Sequence, residues 1–179
     1  MEEKIVSAGF GGQGVLLIGK LLALAGMSEG KHVSWVPSYG PEMRGGTANC
    51  TVIISDEEIS SPLAPTPDTI IVMNKPSLEA FEIQLKKGGL LVMNSSLIDV
   101  KTKRSDVKVV SIPANDLAEK NAGNAKSANM AMLGAYIAAS GRVKMESVQK
   151  ALMEEMAGAK EKFLPANLKA LELGAVQVK

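Results

Sequence analysis

Two glycine-bearing stretches hold the residues whose types and spacing could do chemistry. The first, Ser7 to Gly14 (SAGFGGQG), carries Gly9, Gly11, Gly12 and Gly14, with Gln13 between the last two. Glycines at this density let the backbone turn where side chains would clash and leave amides open to an approaching group. Gly9-x-Gly11-x-x-Gly14 matches the spacing of a dinucleotide loop, in which amides at a helix N-terminus receive a pyrophosphate. That chemistry also needs an Asp or Glu at the end of the second strand, about 20 residues on, to bind the ribose hydroxyls. Here the second strand, His32 to Val36, runs into Pro37-Ser38-Tyr39, and the acid at that distance, Glu29, precedes it. A nicotinamide or flavin dinucleotide is therefore not expected. Three readings stay open: an anion or ligand loop of another kind, glycines that admit a partner chain, and a turn that only lets helix and strand pack closely.

The second stretch is Pro37 to Gly46 (PSYGPEMRGG). Its prolines and glycines predict a shaped loop rather than a regular element. Binding residues tend to sit on such loops at strand ends, and Tyr39, Glu42 and Arg44, followed by Gly45 and Gly46, are the candidates. Arg44 offers a planar fork of donors suited to a carboxylate or phosphate, with Glu42 placed to hold it. The alternative is an internal Arg–Glu pair that braces the loop.

No other part of the chain supplies reactive groups. The lone His32 lies on a strand with no Ser, Cys or Asp constellation around it and reads as a packing or edge residue. The single Cys50 forms no internal disulfide and falls short of the four thiolates an iron–sulfur cluster usually takes. The methionines read as core filler, and no metal site is expected. Lys and Arg total 20 against 19 Asp and Glu, with no basic block, which argues against nucleic acid and anionic membrane as partners. Met1-Glu2-Glu3-Lys4 leads straight into a strand without a signal-peptide pattern, so a cytoplasmic location is expected. Val15 to Met27 is apolar but too short to span a bilayer.

The elements that must position the two loops follow from apolar runs and their punctuation. At 179 residues and 46% apolar content, one domain over 1–179 is expected. A strand around Ile5-Val6 feeds the first glycine loop, and a buried helix runs from about Gly14 to Glu29. Strands follow at His32–Val36, Thr47–Ser55, Thr69–Met73, Leu90–Met93 and Val107–Ile112, with Thr47–Ser55 free to run antiparallel after its short connection. Ser77 reads as the N-cap of a helix through about Lys86. A short helix starts at Pro113-Ala114-Asn115, and the Ala- and Gly-rich segment Ser127–Ser140 carries the stripe Met130, Leu133 and Ile137. Within it Asn129 reads as a capping or rim polar group. Helices near Met145–Met156 and Glu161–Gly174 end the chain. This alternation is that of an α/β fold with a mostly parallel sheet, mixed where Thr47–Ser55 returns, whose ligands sit at strand C-termini. Gly9-Phe10-Gly11, Asn74 and Asn94-Ser95 would share that rim.

Taken together, GFGGQG at 9–14, PSYGPEMRGGTA at 37–48, Pro67-Asp68 and SANMAMLGA at 127–135 resemble the gamma subunit of 2-oxoacid:ferredoxin oxidoreductases, over essentially the whole chain. The resemblance is nearest to the 2-oxoglutarate and branched-chain (ketoisovalerate) types. It implies a three-layer α/β/α fold and assembly with alpha and beta subunits, with a ferredoxin-like delta subunit as a further candidate. It also implies thiamine diphosphate with Mg, an iron–sulfur cluster and coenzyme A in the complex, and ferredoxin as acceptor. The reaction implied is oxidative decarboxylation of a 2-oxoacid to an acyl-CoA. No catalytic residue and no cofactor held by this chain alone are expected; a homodimer is a candidate state when isolated. If coenzyme A reaches this subunit, the loop of Gly9, Gly11, Gly12, Gln13 and Gly14 and the loop of Tyr39, Glu42, Arg44, Gly45 and Gly46 are the places for its phosphates. The alternatives are a purely structural interaction subunit and a free-standing nucleotide-binding enzyme.

Overall fold

The computed structural model describes residues 1–39 and 46–178, without the Tyr39 side chain. Six strands form one sheet in the order β2-β3-β1-β4-β5-β6. They are β1 (Glu2–Phe10), β2 (His32–Tyr39), β3 (Thr47–Ser55), β4 (Thr69–Val72), β5 (Leu90–Asn94) and β6 (Lys108–Ile112). β1, β4, β5 and β6 run parallel, while β3 is antiparallel to both β1 and β2, so the sheet is mixed.

Two apolar cores lie on opposite faces of this sheet, because alternate residues of β1, β4 and β5 point opposite ways and both sets are apolar. Ile5, Ile71, Val92 and Ile112 face the larger core, and Val6, Ile70, Leu91 and Met93 the smaller. Burying each such side chain contributes about 1.5–3 kcal/mol. Helices α1 (Val15–Ser28) and α4 (Ala128–Ser140) cover the first face, with α3 (Ala114–Asn121) beside α4 and α5 (Met145–Glu155) and α6 (Leu164–Ala175) outside them. The second face carries α2 (Lys75–Phe81), the 3-10 turn Glu82–Gln84 and the irregular segment 96–107. The result is the expected three-layer arrangement, with layers of unequal depth.

Small residues set the close approaches. A Cβ on Gly134 of α4 would overlap the Leu171 carbonyl of α6, and one on Gly174 would overlap the Ala131 carbonyl, so the two helices touch backbone to backbone. In place of a helix, segment 96–107 is strapped by polar bonds. Buried Glu82 accepts from Thr102 Oγ1 at 2.6 Å and Lys103 N at 3.1 Å, and Arg104 forks onto Asp106 while donating to the Glu82 and Leu85 carbonyls.

Two sequence expectations change. β2 continues through Pro37 and Ser38 to Tyr39 instead of ending at Val36. Proline is tolerated there because β2 is an edge strand and Pro37 needs no ladder donor. The cap of α2 is Asn74, whose Oδ1 accepts from Ser77 N at 2.9 Å, so Ser77 lies inside the first turn.

Candidate functional site

The first glycine loop meets the described end of the second stretch at Gly46. β1 ends at Phe10, opposite Thr47 of β3, and β2 ends at Tyr39, opposite Ala48, so all three strand ends share the rim from which α1 departs. Gly11 N donates to Gly46 O at 2.9 Å, joining the glycine loop to the end of the second loop. The Tyr39 side chain and all of Glu42, Arg44 and Gly45 lie outside the described residues.

The glycine loop is held from inside. Gln13 Oε1 accepts from Phe10 N and from Asn74 Nδ2, both at 2.7 Å, and Gln13 N donates to Phe10 O at 3.0 Å. Gln13, a binding candidate by sequence, is thus a brace between the loop and the crossover after β4. Gly14 takes a left-handed conformation (φ 74°) as the N-cap of α1, and Asn129 Nδ2 donates to its carbonyl at 3.2 Å. Asn129 is 4% exposed, which makes it the rim polar group the sequence indicated. Next along the rim, Asn94 donates to Met73 O and Asn115 Oδ1 and accepts from Ala114 N. The shared polar rim is real, and much of its hydrogen-bonding capacity is spent internally.

What remains for a ligand or partner is narrower than the glycine count suggests. The amides of Phe10, Gly11 and Gln13 are used, whereas those of Gly12 and of the first turn of α1 have no acceptor among the described residues. The first turn of α1 holds no acidic side chain and no side-chain cap, so its end favours an anion, by about 0.3–1 kcal/mol for an exposed group. Beside it lies a largely apolar cavity of about 520 Å³, lined by Phe10, Gly11, Gly12, Gly14, Val15, Leu16, Leu17 and Ala48. Phe10 was placed on this rim by sequence, whereas Leu16 and Leu17 were read only as part of a buried helix.

The arrangement differs from a dinucleotide fold at the place that matters. There the strand after the first helix lies parallel beside β1 and presents its acid to the ribose. Here antiparallel β3 occupies that position and β2 is displaced to the edge. Cys50 is buried against the Val15 carbonyl, its Sγ at 3.4 Å from that oxygen, and burial pushes its thiol up to about 11, so it is poorly suited to form a thiolate. Among the described residues no group of three His, Cys, Asp or Glu could hold a metal ion, and His32 lies exposed on the edge strand. With Cys50 the one cysteine of the sequence, the donor set falls short of the four thiolates an iron–sulfur cluster usually takes. Amides at the α1 N-terminus beside an apolar wall do suit a molecule that is anionic at one end and apolar at the other. No helix among the described residues is long and apolar enough to cross a membrane.

A family model described as pyruvate ferredoxin/flavodoxin oxidoreductase matches residues 4–177. Ketoisovalerate oxidoreductase subunit VorA of Methanothermobacter marburgensis is 41% identical over 175 residues, which make up 97% of this chain. The chain spans only 36% of the length of that relative. 2-Oxoglutarate synthase subunit KorC of Methanothermobacter thermautotrophicus is 35% identical over 173 residues, covering 93% of this chain and 92% of that protein. Among solved structures, the keto/oxoacid ferredoxin oxidoreductase gamma subunit of Geobacter sulfurreducens superposes with a TM-score of 0.84 at 30% identity, over 98% of this chain and 97% of that one.

Proposed function

The chain belongs to the pyruvate ferredoxin/flavodoxin oxidoreductase family, and from that premise we propose that it is the gamma subunit of a 2-oxoacid:ferredoxin oxidoreductase. In this reading the complex oxidatively decarboxylates a 2-oxoacid of the 2-oxoglutarate, ketoisovalerate or pyruvate class with coenzyme A, yielding an acyl-CoA and reduced ferredoxin. Alpha and beta subunits hold thiamine diphosphate with Mg and the iron–sulfur cluster. This chain contributes a surface that completes the assembly.

The observation that carries the reading is the Gly11–Gly46 bond at 2.9 Å, which ties the glycine loop to the start of β3 beside an apolar cavity and the α1 N-terminus. Such a surface can receive a phosphate, a carboxylate or a partner's backbone, and it carries no nucleophile–base pair of its own among the described residues. Coenzyme A contact at this surface is the finer form of the proposal; a purely structural interaction subunit is the second reading, favoured by the internal use of Gln13 and the rim asparagines.

The test is reconstitution. The purified chain should be folded and inactive, and 2-oxoacid-dependent reduction of an artificial acceptor should appear only with its partner subunits. Turnover by this chain alone, or failure to join such a complex, overturns the proposal. Coenzyme A titrated onto the isolated chain separates the two forms: saturable binding supports the first, partner binding alone the second.

A further inference from the structure

We propose that the outer edge of β2 takes an extended, uncharged segment of a partner subunit as an added strand of this sheet; the proposal rests on the reading of the chain as a subunit.

Hydrogen bonds elsewhere in the sheet fix which β2 groups are spare. Met73 N donates to Ala8 O at 2.9 Å and Asp68 N to Lys4 O at 2.8 Å, so the even-numbered residues of β1 face β4. The N–H and C=O of one strand residue point the same way and alternate along the strand, so the odd-numbered residues of β1 face β3. Ser7 lies opposite Cys50, hence Cys50 bonds toward β1 and not toward its other neighbour, Pro37. Alternation then turns Ser34, Val36 and Ser38 toward β3 and Val33, Trp35 and Pro37 outward. Pro37, which has no N–H, sits where none is needed for the ladder. Among the described residues no backbone hydrogen bond reaches the outward amides of Val33 and Trp35.

Folded proteins usually blunt such an edge with charged side chains, bulges or covering elements. β2 reads HVSWVPSY and holds no Lys, Arg, Asp or Glu; among the described residues Pro37 is its one protective device. Trp35 and Val36, on opposite faces of the strand, remain 37% and 41% exposed. The other sheet edge, β6, is five residues long and begins with Lys108.

An uncharged edge is complementary to an uncharged segment, and main-chain hydrogen bonds would supply the affinity. The edge also ends at Tyr39, opposite Ala48, on the rim where β1 ends at Phe10, so one partner can cover both the edge and the glycine loop. A different chain is favoured over a second copy: self-pairing about a two-fold axis draws Pro37 of each copy into any ladder longer than the Val33–Trp35 pair, losing a donor on both strands.

The experiment uses the complex purified through a tag on this chain and identified by its 2-oxoacid-dependent reduction of an acceptor dye. Amide exchange at Val33 and Trp35 should slow at least about tenfold between the isolated chain and the complex, while Ser34 and Val36 are protected in both. Val33→Pro removes one outward donor without touching the β3 ladder, and because the Val33 side chain packs on the larger core it is compared with Val33→Ala, which loses that packing and keeps the donor. Val33→Pro should lower the melting temperature of the isolated chain no further than Val33→Ala and weaken assembly about tenfold more, whereas Ser34→Pro, which removes an inward donor, should destabilise the chain itself. Unchanged exchange at Val33 and Trp35 in an active complex, or normal assembly of Val33→Pro, overturns the proposal and leaves the subunit reading standing. Protection that grows with the concentration of the isolated chain assigns the edge to a second copy, which also overturns it. Failure of the wild-type chain to enter any complex removes both readings.

Discussion

Asn74 Nδ2 donates to Gln13 Oε1 at 2.7 Å, and through this bond the loop after β1 is fastened to the crossover after β4. The same oxygen accepts from Phe10 N. We predict that Gln13→Ala, which leaves both donors without their acceptor, costs about 1–3 kcal/mol. Gln13→Glu keeps an acceptor for both and places a negative charge at the N-terminus of α1, so it should fall within about 1 kcal/mol of wild type. Urea unfolding of the two variants measures the difference; equal losses would show that the bond does not hold the loop.

Gly14 and Asn129 are coupled across 115 residues of sequence. A Cβ on Gly14 would overlap the Asn129 carboxamide, and the left-handed backbone there disfavours any side chain. Gly14→Ala should therefore cost more than about 1 kcal/mol. Combined with Asn129→Ala it should cost less than the sum of the single changes, because the overlap is relieved. Strict additivity in a double-mutant cycle would refute the contact.

Gly134 faces the Leu171 carbonyl so closely that a methyl group has no room. Since the obstacle is backbone, α4 and α6 must separate to admit Gly134→Ala. We predict a loss of about 1–3 kcal/mol despite the gain in helix propensity, read as a lowered unfolding midpoint. A variant as stable as wild type would mean the helices can shift freely.

These three sites show what was legible in sequence and what was not. The glycine loop, the rim residues Asn74 and Asn94, and the antiparallel return of Thr47–Ser55 follow from local spacing and connection length, and all are found. The extent of β2 did not follow, because whether Pro37 breaks a strand depends on which neighbour its nitrogen faces, a tertiary fact. Gln13 was read as a binding group because sequence records its amide but not the two donors, one of them from Asn74, that consume its oxygen. The strapping of segment 96–107 by Glu82 and Arg104 was missed for the same reason: its partners are about 20 residues apart and carry no periodicity.

Glu3 should make stability depend on pH. Its Oε1 accepts from Thr69 at 2.8 Å and its Oε2 lies 3.0 Å from Arg142 Nε, yet burial outweighs both and raises its carboxyl above the ordinary 4.5. A raised acid binds its proton more tightly in the folded state than in the unfolded one, so stability falls as pH rises from about 4.5 through the folded-state value and then levels. Glu3→Gln should remove that slope. Parallel pH profiles of unfolding free energy for the two proteins would contradict the assignment.

Arg44 lies outside the described residues; the described positions on either side of it are Tyr39, opposite Ala48, and Gly46, bonded to Gly11. If its guanidinium meets a carboxylate or phosphate across a contact dried by the partner, truncation leaves that charge unpaired, at a cost of about 2–5 kcal/mol in the complex and little in the free chain. If it only braces Glu42 in a solvated loop, the loss stays under about 1 kcal/mol and registers in the free chain. The surface reading proposed for this subunit requires the first outcome. We therefore predict that Arg44→Ala leaves the melting of the isolated chain nearly unchanged and sharply lowers assembly or coenzyme A-dependent turnover. A lowered melting temperature with normal turnover per assembled complex would instead make Arg44 a brace within its own loop.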